Sequence, residues 1–232
     1  MFQRAIVVLT FLISLNQNVL CQSDRILPNC PLHIIIALDF SASERAYIEE
    51  LQTVLYALTS RFELHPNSLR IGIISFNRGA QLIQPLTGDT DSLEMTIASL
   101  RIPLNVFATD IHAAFALADR EFRKNSLESV PKYFILVSDG DPHAHARGYG
   151  FRADLTNAER LRNGDPLNTV DPVHVFCIYS GRDMPYHDRF SEEVRRASIK
   201  HLQNMASSET SFYLFEQYPE LVNFLELVSS CL

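Results

Sequence analysis

The feature of this chain that most restricts its fold is a regular alternation of continuous apolar runs with segments of helical periodicity. A strand that is apolar throughout is buried on both faces, and strands that alternate with helices are typical of a parallel sheet covered by helices. The pattern therefore predicts an α/β fold: a three-layer, doubly wound, mostly parallel sheet with helices on both faces. The apolar runs lie at 32–40, 70–76, 132–138, 173–180 and 211–216, and the helical segments at 47–58, 89–100, 111–122, 155–161, 190–205 and 221–228.

One further segment, 80–86, has strand character but contains Pro85. Proline has no amide hydrogen to donate to a neighbouring strand, so it is tolerated mainly in edge strands. We therefore expect one short antiparallel edge strand here. The chain of 232 residues shows no break in composition and no internal repeat, so we expect one domain.

The N-terminal residues 1–21 are typical of a secretory signal peptide. Arg4 is the only charged residue, an apolar run follows from Ala5 to Leu15, and Asn16 begins a polar stretch. A buried helix and a membrane anchor are the alternatives, but an anchor needs about 18 apolar residues. We expect cleavage after Cys21, a short N-terminal segment at 22–31, a domain at 32–231, no membrane span, and a secreted, extracellular protein.

The cysteines must then be interpreted for an oxidising compartment. Cys30 precedes the first strand and Cys231 is the penultimate residue, so a disulfide between them would join the two ends of the domain. In the chain-entropy model, closing a loop of that length contributes about 4–5 kcal/mol. Cys177 lies in an apolar run and is predicted to be a buried free thiol. The alternative for this odd cysteine is an intermolecular disulfide.

The net charge of −7 argues against a nucleic acid as a partner, because binding to phosphates requires a basic surface. It is compatible with a bound cation, and three segments carry oxygen-bearing side chains where strands or loops end. They are Asp39-Phe40-Ser41-Ala42-Ser43, Thr109-Asp110 and Ser138-Asp139-Gly140-Asp141. In open α/β sheets, ligands bind at the carboxyl ends of the strands, where these segments would meet. Carboxylates and hydroxyls are the ligands of hard cations such as Mg²⁺.

In order and spacing, these three segments resemble the metal-ion-dependent adhesion site of the von Willebrand factor type A domain. The resemblance covers the chain from about Cys30 to Cys231, and the terminal cysteine pair also resembles extracellular members. It implies that Mg²⁺ (or Mn²⁺) is held directly or through water by Asp39, Ser41, Ser43, Thr109 and Asp139. It also implies an extracellular protein partner whose Asp or Glu carboxylate completes the coordination. Asp110 and Asp141 would lie just outside the direct ligands.

Each of these residues also has a simpler interpretation. Asp39 could cap the first helix or pair with Arg45, Thr109 could cap the third helix, and Asp139 could belong only to a turn.

The histidines carry less information about function. His143 and His145 suggest a softer metal but lack a third ligand, and His33 and His174 are expected to be hydrogen-bonded within the core.

Three functions follow from these observations. The resemblance favours cation-dependent adhesion to a protein and no enzymatic activity. A metal-dependent hydrolase is one alternative, but the chain has no second aspartate two residues after Asp39 and no GxxxxGK[ST] or GxSxG motif. A structural extracellular module that does not use its metal is the other alternative.

Overall fold

The computed structural model describes residues 30–44, 48–103, 108–140, 149–164, 171–181 and 190–230. The strands are β1 (Leu32–Asp39), β2 (Leu69–Phe76), β3 (Ala80–Thr87), β4 (Lys132–Ser138), β5 (Val173–Tyr179) and β6 (Phe212–Leu214). The helices are α1 (Ile48–Ser60), α2 (Thr90–Ser99), α3 (Ile111–Asn125), α4 (Tyr149–Asn163), α5 (Phe190–Met205) and α6 (Tyr218–Ser229). Outside the described residues lie the predicted signal peptide 1–21, residues 22–29 of the N-terminal segment, and Arg45, Asp141, His143, His145 and Cys231.

The strands form one sheet in the order β3-β2-β1-β4-β5-β6. Every pairing is parallel except that of β2 with β3, which is antiparallel and lies at the edge. This arrangement confirms the predicted α/β fold with a mostly parallel sheet. Because β1, β2, β4 and β5 run in the same direction, their carboxyl ends lie along one edge of the sheet.

Several elements differ in length from the prediction. The edge strand β3 is not short: it has eight residues, as many as β1 and β2. Its pairing with β2 shifts register on both sides of Gln84, so Pro85 lies in an irregular stretch that tolerates a missing amide hydrogen. The last strand, β6, is shorter than predicted, with short 3₁₀ helices on both sides, and α4 is longer than predicted.

Alternate residues of β1 enter two separate hydrophobic cores, as the two-residue period of a strand requires. Ile34, Ile36 and Leu38 pack in the core that contains residues of α1, α2 and α6. Ile35 and Ala37 pack in the core that contains residues of α3, α4 and α5. The two cores explain why β1 is apolar throughout, and they confirm the predicted three layers.

The N-terminal end of the described domain lies against its last helix. The amide of Cys30 donates a hydrogen bond to the carbonyl oxygen of Ser229, at 3.1 Å.

Among the helices that the structure describes, none is long and apolar enough to span a membrane.

Buried thiol and imidazole groups occur inside the sheet. Cys177 is free and fully buried in the second core, as predicted. His33 is fully buried, and its Nδ1 atom lies 2.8 Å from Ser126 Oγ. His174 is half-buried, with Nε2 at 2.8 Å from Ser211 Oγ. Both histidines are therefore hydrogen-bonded, as predicted.

His33 should make the stability of the protein sensitive to acid. Burial lowers its pKa from 6.5 to about 4, and the charges of Arg70 and Lys132 act in the same direction. At a pH between these two values, the unfolded chain binds a proton that the folded protein does not. The free energy of unfolding therefore decreases as the pH is lowered. We expect this residue alone to contribute a loss of about 2–3 kcal/mol between pH 7.5 and 4.5. Urea unfolding of wild type and His33→Leu at both pH values measures this difference.

The exposed His65 provides a matched control, because His65→Gln also removes an imidazole. His65→Gln should lose as much stability between the two pH values as wild type, and His33→Leu should lose less. An equal loss in wild type and His33→Leu would contradict the assignment to His33.

Candidate metal-binding site

The predicted metal ligands of the first segment come together where β1 ends. Asp39 is the last residue of β1 and is fully buried. Its Oδ1 atom accepts a hydrogen bond from the amide of Ser41 at 2.9 Å, and the hydroxyls of Ser41 and Ser43 are 2.8 Å apart. Phe40 points into the first core instead. The oxygen-bearing side chains of this segment therefore lie together, and Phe40 lies apart from them.

A hydrogen bond from the adjacent strand fixes the Asp39 carboxylate. The hydroxyl of Ser138, at the end of β4, donates to Asp39 Oδ2 at 2.7 Å and accepts from the amide of Gly140 at 3.0 Å. Gly140 has a φ of +67°, and a Cβ atom there would lie 3.1 Å from the carbonyl oxygen of Ser198. The chain therefore turns sharply after Asp139, so this segment is both a turn and a part of the carboxylate cluster.

Thr109 is buried in the loop before α3, and it is not the N-cap of that helix. Asp110 is the N-cap: its side chain accepts a hydrogen bond from the amide of Ala113 at 3.0 Å. The amide of Asp110 donates to the carbonyl oxygen of Asn77, just beyond the carboxyl end of β2, at 2.6 Å. The structure thus rejects the simpler interpretation of Thr109 and places it at the same edge of the sheet as Asp39.

Glu44 is a third carboxylate at this edge, and the sequence analysis did not identify it. It is buried, and its Oε1 atom accepts a hydrogen bond from the hydroxyl of Ser180 at 2.5 Å. The amide of Asp139 also donates to this carboxylate. Ser180 directly follows β5, and its amide donates to the carbonyl oxygen of Ser138 at 3.0 Å. Glu44 thereby connects the segment after β1 to the ends of β4 and β5.

The carboxylates of the site repel one another. Burial raises the pKa of Asp39 well above its ordinary value, and the charge of Asp139 raises it further, against the hydrogen bonds from Ser138 and Ser41. Burial, followed by the charges of Asp139 and Asp39, likewise raises the pKa of Glu44. The side-chain charges that shift these two pKa values are all carboxylates. A buried charge is costly unless it is paired, so the site is suited to a cation.

The chemistry of the donors fits a hard divalent cation. Carboxylate and hydroxyl oxygens are the ligands that Mg²⁺, Mn²⁺ and Ca²⁺ prefer. Within the described ranges, no three His, Cys, Asp or Glu side chains have the spacing of a metal site. The five ligands predicted from the sequence, Asp39, Ser41, Ser43, Thr109 and Asp139, offer donors of this kind, with two carboxylates and three hydroxyls.

Comparison with known proteins agrees with this interpretation of the fold. A family model described as von Willebrand factor type A domain matches residues 34–141, a range that contains all five predicted ligands. A solved structure of proximal thread matrix protein 1 from the mussel byssus, with a zinc-occupied MIDAS motif, superimposes with a TM-score of 0.62. It is 17% identical, and the match covers 86% of this chain and 46% of that one.

The fold is that of a von Willebrand factor type A domain. The conserved hypothetical protein BatB from Bacteroides thetaiotaomicron shares it, with a TM-score of 0.57, 21% identity, and coverage of 84% of this chain and 97% of that one. Matrilin-4 of Mus musculus is 25% identical over 170 residues, which cover 66% of this chain. This chain spans about a quarter of the length of that relative, at 27%.

Sequence reasoning missed Glu44 and Ser180, and it named Ser138 in the third segment without its role as a hydrogen-bond donor to Asp39. Ser138 is the last residue of β4, and Ser180 directly follows β5, the neighbouring parallel strand. Glu44 directly follows the Asp-x-Ser-x-Ser segment. Only strand order could have shown that these residues meet. Asp110, which was expected just outside the direct ligands, is the N-cap of α3. Asp141, His143 and His145 lie outside the described residues.

Because the buried carboxylates repel one another, we expect the metal-free protein to be less stable than a variant that lacks one of these charges. Asp39→Asn keeps the shape of the side chain, the acceptor for Ser41 and a partner for Ser138, but it removes one charge. In EDTA at pH 7.5, we expect this variant to increase the free energy of unfolding by about 1–2 kcal/mol. Urea unfolding measures the change.

Asp91→Asn is a matched control, because Asp91 is an exposed carboxylate on α2. It should change the free energy of unfolding by less than about 0.5 kcal/mol. If Asp39→Asn were less stable than wild type in EDTA, the proposed repulsion would be wrong.

Proposed function

We propose that this protein is a secreted type A domain that binds a protein partner through a divalent cation, Mg²⁺ or Mn²⁺. The observation that carries the proposal is the burial of Asp39 with hydroxyls close by and with the charge of Asp139 acting on its carboxyl. A cation would remove the cost of this burial. The zinc-occupied site in the mussel protein of the same fold supports a divalent metal at this position.

Five residues are proposed as cation ligands, directly or through water: Asp39, Ser41, Ser43, Thr109 and Asp139. The two aspartates would supply negative charge, and the hydroxyls would supply neutral oxygens. Ser138 would orient Asp39 through its 2.7 Å hydrogen bond without binding the cation itself. When bound, the cation would act as an electrophilic centre that attracts an oxygen atom of a partner.

The partner is proposed to be an extracellular protein that offers an Asp or Glu carboxylate. Negative charge of the partner would then be directed at the cation, and the acidic surface elsewhere would disfavour non-specific binding. The proposal of secretion rests on the signal-like residues 1–21, with a domain at 32–231. The similarity to a thread matrix protein of the mussel byssus is compatible with an extracellular location.

A disulfide between Cys30 and Cys231 is part of this proposal. The hydrogen bond between Cys30 and Ser229 brings the first cysteine next to the last helix, two residues before Cys231. Peptide mapping without reduction should recover residues 30 and 231 in one linked pair. Recovery of both as free thiols would contradict the disulfide.

We propose a binding role and no catalytic one. Binding needs only the cation and a partner oxygen, whereas hydrolysis also needs a nucleophile and an acid or base placed beside it. The serine hydroxyls of Ser138 and Ser180 donate to carboxylates of the site, which is a positioning role.

Cation binding is the first prediction of this proposal. Calorimetric titration of the purified protein with Mg²⁺ should show one site, and Asp139→Ala should abolish the binding because one of the two charged ligands is lost. A cation at 100 times its dissociation constant should also stabilise wild type by about 2.7 kcal/mol. Asp91→Ala, at an exposed carboxylate, should bind Mg²⁺ as wild type does. Absence of binding by wild type, or equal binding by Asp139→Ala, would refute the site.

Cation-dependent capture of a partner is the second prediction. Immobilised wild-type protein should retain an extracellular protein in Mg²⁺ and release it in EDTA, and Asp139→Ala should not retain it. Retention that is unchanged by EDTA would favour the alternative of a structural module that does not use its metal.

A further inference from the structure

Glu44 is a buried carboxylate that the ligand set described above does not use. Its side chain is 1% exposed. Oε1 accepts from the hydroxyl of Ser180 at 2.5 Å, whereas Oε2 is buried with no hydrogen-bond partner among the described residues. A buried carboxylate oxygen without a partner is costly, so the presence of Glu44 at this edge of the sheet calls for an explanation.

The position of Glu44 relates it to the cation site. It directly follows the proposed ligand Ser43, and its carboxylate accepts from the amide of the proposed ligand Asp139. The charges of Asp139 and Asp39 both act on the Glu44 carboxyl. The three carboxylates do not have the spacing of a shared metal cluster. Glu44 therefore influences a cation through its charge, and it is a positioning residue for Asp139 through the backbone.

We propose that Glu44 adds a third negative charge to the cation site, which strengthens cation binding and weakens the attachment of an anionic partner group to the bound cation. This inference rests on the proposed function. It modifies the expectation that an Asp or Glu carboxylate of the partner completes the coordination of the cation. Asp39 and Asp139 already balance the formal charge of a divalent cation, and Glu44 exceeds it.

The two effects have opposite signs because the same charge acts on a cation and on an anion. The buried position of Glu44 keeps the interaction from being screened as it would be in water. A site of this kind holds its cation in the absence of a partner, and it binds an acidic group weakly. A partner would then need further contacts around the site for tight binding.

Glu44→Gln tests this proposal, because glutamine keeps an acceptor oxygen for Ser180 and for the Asp139 amide while it removes the charge. Calorimetry with Mn²⁺ should show binding at least about tenfold weaker than wild type. With Mn²⁺ at saturation, acetate serves as the anionic probe, and water-proton relaxation reports its displacement of Mn²⁺-bound water. Acetate should bind about threefold tighter to the variant than to wild type.

Two further variants separate charge from structure. Glu49→Gln removes an exposed carboxylate five residues away and should leave both affinities as in wild type. Glu44→Asp keeps the charge and should bind Mn²⁺ more tightly than Glu44→Gln does.

The outcomes distinguish this inference from the proposed function. If wild type binds no Mn²⁺, the proposed function fails. If wild type binds Mn²⁺ and Glu44→Gln binds it equally well, only the role of Glu44 is wrong. If Glu44→Gln weakens Mn²⁺ and acetate binding together, the variant has damaged the site, and the charge effect is also refuted. Weaker Mn²⁺ binding with tighter acetate binding supports the inference.

Discussion

The burial of like-charged carboxylates at the carboxyl edge of the sheet is the constraint on which the rest of the site depends. Hydrogen bonds to Asp39 come from the Ser41 amide and the Ser138 hydroxyl, and those to Glu44 come from the Asp139 amide and the Ser180 hydroxyl. These donors belong to segments that follow or end β1, β4 and β5. The hydrogen bonds to the buried carboxylates thus connect three neighbouring strands. They offset only part of the free-energy cost of burying these charges.

The fold supplies the rigidity that such a cluster requires. β1 lies between β2 and β4, and its side chains fill the cores on both faces of the sheet. Its last residue, Asp39, therefore has little freedom to move away from Ser138 on the adjacent strand. The loop before α3 is fixed in another way: Asp110 caps the helix and its amide binds Asn77. Thr109 is consequently free of a capping role.

The type A fold alone does not define what this protein binds, because one fold can carry many different sites. In this chain Glu44 is buried beside Asp39 and Asp139 and has no place in the proposed ligand set. A buried acidic cluster destabilises the metal-free protein, and the same cluster favours a cation. Stability is in this way exchanged for binding, as is common at functional sites. A site with surplus negative charge also discriminates among partner groups by their charge.

The sequence by itself determined the class of fold, because strands buried on both faces must be apolar throughout and helices between them must show a 3.6-residue period. It also identified the convergence of Asp39, Ser41 and Ser43, since these residues are local in the chain. Contacts between segments that are distant in the chain needed the strand order, which composition does not encode. Only the tertiary structure formed the hydrogen bond from Ser138 to Asp39 and brought Glu44, Ser180 and Asp139 together. The charge of the site was decided at that level, because it depends on which buried carboxylates become neighbours after folding.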